Sequence, residues 1–60
     1  MRILVATFND AWHESSLGHV YRLNGDKWEV LELDSTDWVV SHLRPEIIEK
    51  AVVDGALREV

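Results

Sequence analysis

The fold is decided by the stretch His19-Val20-Tyr21-Arg22-Leu23-Asn24-Gly25-Asp26-Lys27-Trp28-Glu29-Val30-Leu31-Glu32-Leu33. Two runs rich in β-branched and aromatic residues, 19–23 and 28–33, flank a cluster of turn-forming residues at 24–27. This pattern predicts a β-hairpin, because the flanking runs suit strands and Asn-Gly is a strong hairpin signal.

The turn of this hairpin sets which residues face each other. A two-residue turn at Asn24-Gly25 would oppose Arg22 to Lys27, whereas a four-residue loop at 24–27 pairs Arg22 with Glu29. Cross-strand pairing of opposite charges favours the longer loop. Both registers place the same apolar side chains together: Tyr21, Leu23, Trp28 and Val30 on one face, and Val20 and Leu31 on the other. We expect the face with Trp28 to be the core.

The segments before the hairpin predict a strand and a loop. Residues 2–8 are apolar at both alternating positions, which is typical of a central strand covered on two sides. Residues 9–18 mix turn formers with one large aromatic and show neither a helical nor a strand period. We expect a long loop there, with a single helical turn after Asp10 as an alternative.

The segment 36–43 allows two interpretations. Asp34-Ser35-Thr36-Asp37 resembles an N-cap cluster, which favours a short helix through Leu43. The β-branched pair Val39-Val40 would instead suit a fourth strand. We favour the short helix and keep the strand as the alternative.

The C-terminal segment predicts a helix over 45–59. Pro45 suits a first helical turn, and apolar residues recur at helical spacing. Gly55 lies on the apolar stripe, where it either permits close packing on the sheet or ends the helix early. The predicted fold class is therefore α+β: a three-stranded antiparallel β-meander packed against one C-terminal α-helix, with a short helix or fourth strand at 36–43.

Composition limits the class of protein. A chain of 60 residues has room for one core, so 1–60 is expected to form a single small domain of marginal stability. Its charge of −5 disfavours phosphate backbones and anionic membranes and favours a protein partner that is basic. The start of the chain has no signal-peptide pattern, no segment is long and apolar enough to span a bilayer, and there is no cysteine, so we expect a cytoplasmic location.

The residues that could carry chemistry match no catalytic or metal-binding motif. Asp10, His13, Glu14 and His19 are the densest group of potential ligands, and His42 could join them, but their spacing fits no zinc motif. Serines and histidines are present without a nucleophile elbow or phosphate loop. We therefore expect no metal, no cofactor and no enzymatic activity; a subunit or fragment of an enzyme that uses the His13 loop is the alternative.

Binding to a partner is the function that the residues favour. Trp12, in a polar loop, is the aromatic residue most suited to an interface. The acidic run at the end of the hairpin gives another alternative, a mimic of nucleic-acid phosphates. This run comprises Glu29, Glu32, Asp34 and Asp37. The main hypothesis is a small acidic, non-enzymatic protein-binding or regulatory module, of the kind with which phages inhibit a host protein.

The predicted C-terminal helix also suggests a homodimer. Glu46, Lys50, Asp54 and Arg58 follow at i,i+4 with alternating sign and predict one solvated stripe. Val53, Leu57 and Val60 point away from this stripe and would have no partner within the chain. A helix that is apolar over more than half of its circumference should be buried on two sides, and a second copy could supply the second side. The alternative is that Gly55 ends the helix and the last residues fold back.

Overall fold

The computed structural model describes residues 1–9 and 17–60. Predictions that concern residues 10–16, including the loop with Trp12 and His13, lie outside the described residues. The described elements are β1 (Arg2–Ala6), β2 (Val20–Asn24), β3 (Lys27–Leu31), β4 (Val39–Val40), α1 (Pro45–Val53) and β5 (Leu57–Glu59). The strands form an antiparallel sheet of order β4-β3-β2-β1-β5. The α+β class is confirmed, whereas the three-stranded meander describes only the middle of this sheet.

The hairpin has the predicted register. Arg22 pairs with Glu29, Tyr21 with Val30 and Val20 with Leu31. Pairing continues to Asn24 and Lys27, so the loop itself is only Gly25-Asp26. Gly25 has a φ of 68°, a left-handed conformation that glycine adopts at little cost.

The predicted hairpin faces are also confirmed. Tyr21, Trp28 and Val30 are buried, and Leu23 packs against them from a partly buried position. β1 is an interior strand of the sheet, as expected, with β2 on one side and β5 on the other. The expected cover on both faces is not found among the described residues, where α1 packs against one face only.

The segment 36–43 contains the strand β4, so the favoured short helix is wrong and the alternative strand is confirmed. Val39 pairs with Val30, and Val40 pairs with Glu29. The Ser41 amide donates a hydrogen bond of 2.9 Å to the Trp28 carbonyl. The physical reason is that the edge of β3 has free backbone groups, and the β-branched pair Val39-Val40 can bond to them. This pairing outweighs the helix-capping preference of residues 34–37.

The predicted helix over 45–59 is correct at its start and wrong at its end. Pro45 is the first helical residue, but the helix ends at Val53 and Gly55 has a φ of 85°. The Ala56 amide donates to the Ala51 carbonyl at 2.8 Å, and the Gly55 amide donates to the Val52 carbonyl at 3.2 Å. These two bonds form a Schellman motif, which ends a helix with a left-handed residue.

Beyond this motif the chain turns back and adds β5 to the free edge of β1. Leu57 pairs with Ala6, and Arg58 pairs with Val5. The core lies between one face of the sheet and α1. Its buried residues are Leu4, Ala6, Tyr21, Trp28, Val30, Leu43, Ile48, Ala51, Ala56 and Leu57.

Candidate binding surfaces

The face of the sheet that points away from α1, here called the outer face, is apolar around a charged centre. Direct pairing places most of its residues in two rows across the strands, and the pair Asn24-Lys27 continues the face beside the hairpin loop. One row is Arg58-Val5-Val20-Leu31, and the other is Ile3-Arg22-Glu29-Val40. Val60 extends the second row, because its amide donates a hydrogen bond of 3.0 Å to the Ile3 carbonyl. Within residues 1–9 and 17–60, no helix or strand packs over this face.

Arg22 is the centre of the outer face. Its Nε donates a hydrogen bond of 2.7 Å to Oε1 of Glu29, and these side chains are 27% and 20% exposed. The Arg22 guanidinium carbon also lies 4.1 Å from the centre of the Trp38 ring. The guanidinium is therefore held by a carboxylate and an indole at once, which fixes both partners in place.

The opposite face has its own arginine, which ties three elements together. Arg2 bonds to Oε1 of Glu49 at 2.7 Å and to Oε1 of Glu59 at 3.0 Å, and its guanidinium carbon lies 5.5 Å from the centre of the Trp28 ring. The hydrogen bonds with Glu59 and then with Glu49 raise the pKa of Arg2 above its usual value. Arg2 thus links β1 to β5 and α1 and covers the edge of the core.

A cleft of about 150 Å³ opens between the start of β2, the end of β3 and the segment around β4. Its polar lining consists of His19, Glu32, Ser41 and His42. Its apolar lining consists of Tyr21, Val30, Val39, Val40 and Leu43. The cleft is small compared with the pockets of about 300–1,000 Å³ that hold small-molecule ligands.

Two histidines that are far apart in sequence line this cleft. His19 precedes β2 and His42 follows β4, and both line the same space. The described part of the chain nevertheless contains no group of three or more His, Cys, Asp or Glu side chains that could hold a metal ion. His13, the other histidine of the predicted ligand group, lies outside the described residues.

The residues predicted for self-association are placed in three different settings. Val53 is 84% exposed at the end of α1, and Val60 is 71% exposed beside the outer face. Leu57 is only 2% exposed and belongs to the core, so its predicted position on an exposed helical face is wrong. The reason is the Schellman motif, which ends the helix before Leu57 and directs this residue into β5.

The acidic run does not form one surface. Glu29 lies on the outer face, where it is paired with Arg22, whereas Glu32 lines the cleft. Asp34 and Asp37 are exposed in the segment between β3 and β4. A nucleic-acid mimic requires its carboxylates on one face, and this placement does not favour that alternative.

Trp38 lies over the outer face, whereas sequence reasoning preferred Trp12 among the three tryptophans as the interface residue. The contact of Trp38 with Arg22 depends on β4 pairing with β3, which places the residue before β4 over the outer face. The one available signal was the two-residue spacing of Trp38 and Val40. This spacing places both side chains on the same face only if the segment is a strand, and the sequence favoured a helix there.

Comparison of the chain with protein-family models, curated proteins and solved structures found no match. No helix in the described part of the chain is long and apolar enough to cross a membrane. The function must therefore be inferred from the outer face and the cleft.

Proposed function

We propose that the protein is a small, acidic, non-enzymatic protein-binding module that engages its partner through the outer face. The observation that carries this proposal is an apolar sheet face with a central Arg22-Trp38 contact, over which no described helix or strand packs. Tryptophan and arginine dominate the binding energy of protein interfaces, and a contiguous apolar surface on a small domain usually marks an interaction site.

The pairing of Arg22 prepares this surface for binding. An exposed arginine loses side-chain freedom when it enters an interface, whereas Arg22 is already held at 2.7 Å by Glu29 and covered by Trp38. The flanking side chains Ile3, Val5 and Val20 are half-buried and lie beside it on neighbouring strands. The centre is therefore ordered before the partner arrives.

The same face could accept a second copy of the chain when no partner is bound. Of the three residues predicted for a helix-based dimer contact, Leu57 is buried in the core. Val60 is exposed and borders the outer face. We therefore transfer the proposed homodimer contact from the helix to this face. The proposed partner competes with the second copy for it.

Affinity capture from the native cell with matched variants tests the proposal. Val20→Glu places a charge in the middle of the outer face, and Val53→Glu makes the same change at a residue that is 84% exposed on the helix. We expect mass spectrometry to identify one dominant protein with the parent chain and with Val53→Glu, but not with Val20→Glu. A captured protein that Val20→Glu retains fully would contradict the proposed site.

A further inference from the structure

We propose that the cleft between β2, β3 and β4 is a second binding site, which accepts an alkylguanidinium group: the end of an arginine side chain presented by a partner protein. This inference does not depend on the outer face. It follows from the hydrogen-bonding capacity, the charge and the size of the cleft.

Three of the polar side chains that line the cleft have free hydrogen-bond acceptors among the described residues, whereas the Ser41 Oγ accepts a hydrogen bond of 3.2 Å from the Leu43 amide. Within the described residues, the side chains of His19, Glu32 and His42 make no hydrogen bond or ion pair. A carboxylate accepts several hydrogen bonds, and a neutral imidazole accepts one. A guanidinium has five N–H donors and no acceptor, so it complements this set.

The charge of the cleft selects a cation. Among the described residues that line the cleft, Glu32 is the one carboxylate, and there is no lysine or arginine. The chain's own cations are largely engaged elsewhere: ion pairs occupy Arg2, Arg22, Arg44 and Lys50, which are four of its six basic side chains. The net charge of −5 adds a long-range attraction for a basic ligand.

The apolar lining suits the stem of an arginine side chain. Tyr21, Val30 and Leu43 are buried and form one part of the cleft. Arginine buries its methylene groups along apolar surface while its charged head remains solvated or paired. A volume of about 150 Å³ is suited to one side chain rather than to a whole small-molecule substrate.

NMR titration of the complete 60-residue protein tests this site. The probe is N-acetyl-arginine amide, and its control is N-acetyl-citrulline amide, which has nearly the same shape but no charge. At neutral pH we expect saturable shifts of the backbone signals of His19, Glu32 and His42 with the arginine probe. The citrulline probe should bind at least about tenfold more weakly, because it lacks the charge-assisted bonds.

Two variants with equal net charge separate local recognition from general attraction. Glu32→Gln removes the carboxylate of the cleft, and Asp34→Asn removes an exposed carboxylate that does not line it. We expect about a tenfold loss of affinity with Glu32→Gln and almost none with Asp34→Asn. Both positions are exposed, so the NMR spectra should show an intact fold in each variant.

Several results would overturn the inference. These are the absence of saturable shifts at the cleft, equal binding of the citrulline probe, or an equal loss with Asp34→Asn. Tighter binding of N-acetyl-lysine amide would reject the guanidinium assignment. Tighter binding of free arginine than of the blocked amide would assign the cleft to a free amino acid rather than to a protein side chain.

Discussion

At the scale of single residues, Trp28 shows how one side chain connects the parts of this small core. It is 6% exposed and lies on the buried face with Tyr21 and Val30. The Arg2 guanidinium lies 5.5 Å from its ring centre and is itself held by carboxylates of α1 and β5. The indole therefore contributes both apolar burial and a contact that links the two ends of the chain.

We predict that Trp28→Ala lowers the free energy of unfolding by about 3–5 kcal/mol, because a large buried aromatic side chain is replaced by a cavity. Such a loss is a large fraction of the free energy of unfolding of a native protein, which is about 5–15 kcal/mol. Urea denaturation followed by circular dichroism measures it, with Trp28→Phe as a control that should lose less. A cooperative melt within a few degrees of the parent would show that Trp28 is not part of the core.

At the scale of elements, the end of α1 determines the topology of the C-terminal quarter of the chain. The Gly55 φ of 85° and the bond from the Ala56 amide to the Ala51 carbonyl stop the helix and reverse the chain. The reversal brings Leu57 opposite Ala6, where it closes the core at the edge of the sheet. If the helix continued, Leu57 could not reach this position and β1 would be left as an open edge.

The sign of one substitution distinguishes the two possible C-terminal structures. In a helix interior, Gly55→Ala would stabilise the protein by about 1 kcal/mol. In the Schellman motif it should destabilise by about 1–2 kcal/mol, because an L side chain disfavours positive φ. A Cβ at Gly55 would meet no atom within 4 Å, so the backbone alone sets this cost.

We therefore expect Gly55→Ala to lower the midpoint of urea unfolding. Gly55→Asn is the matched control and should lose less, since asparagine tolerates the left-handed conformation better than alanine. A rise in the midpoint with Gly55→Ala would contradict the helix end and support a helix that continues to residue 59.

At the scale of the whole molecule, the two sides of the sheet differ in charge as well as in cover. The outer face carries Arg22, Lys27 and Arg58 against Glu29. The side covered by α1 carries Glu49 and Glu59, which share Arg2. An acidic chain thus has an apolar face whose one acidic strand residue among the described residues, Glu29, is paired with Arg22, and that face is suited to close approach by another protein.

We predict that the purified chain forms a dimer at micromolar concentration through the outer face, because a domain of 60 residues gains stability by covering exposed apolar surface. Sedimentation equilibrium should give about twice the mass of one chain. Val20→Glu should give the monomer mass, whereas Val53→Glu should leave the dimer intact. A monomeric parent, or a dimer that is lost only with Val53→Glu, would contradict this arrangement.

The sequence by itself determined the features that depend on neighbouring residues. The hairpin, its register, the burial of Trp28 and the start of α1 at Pro45 all follow from patterns within about a dozen residues. Alternation, cross-strand charge pairing and proline geometry act over this distance, and the resulting preferences agreed with one another. Local sequence could therefore be converted into local structure without knowledge of the rest of the chain.

Only the tertiary structure decided the features that depend on which strand edges had no hydrogen-bonded neighbour within the sheet. Residues 57–59 and 39–40 became strands because β1 and β3 offered unpaired edges, although local pattern favoured helix in both segments. The cleft and the Arg22-Trp38 contact follow from that choice, since they join residues from strands that are separate in sequence. Backbone pairing across a sheet is a long-range interaction, and a stretch of sequence does not contain the identity of its distant partner.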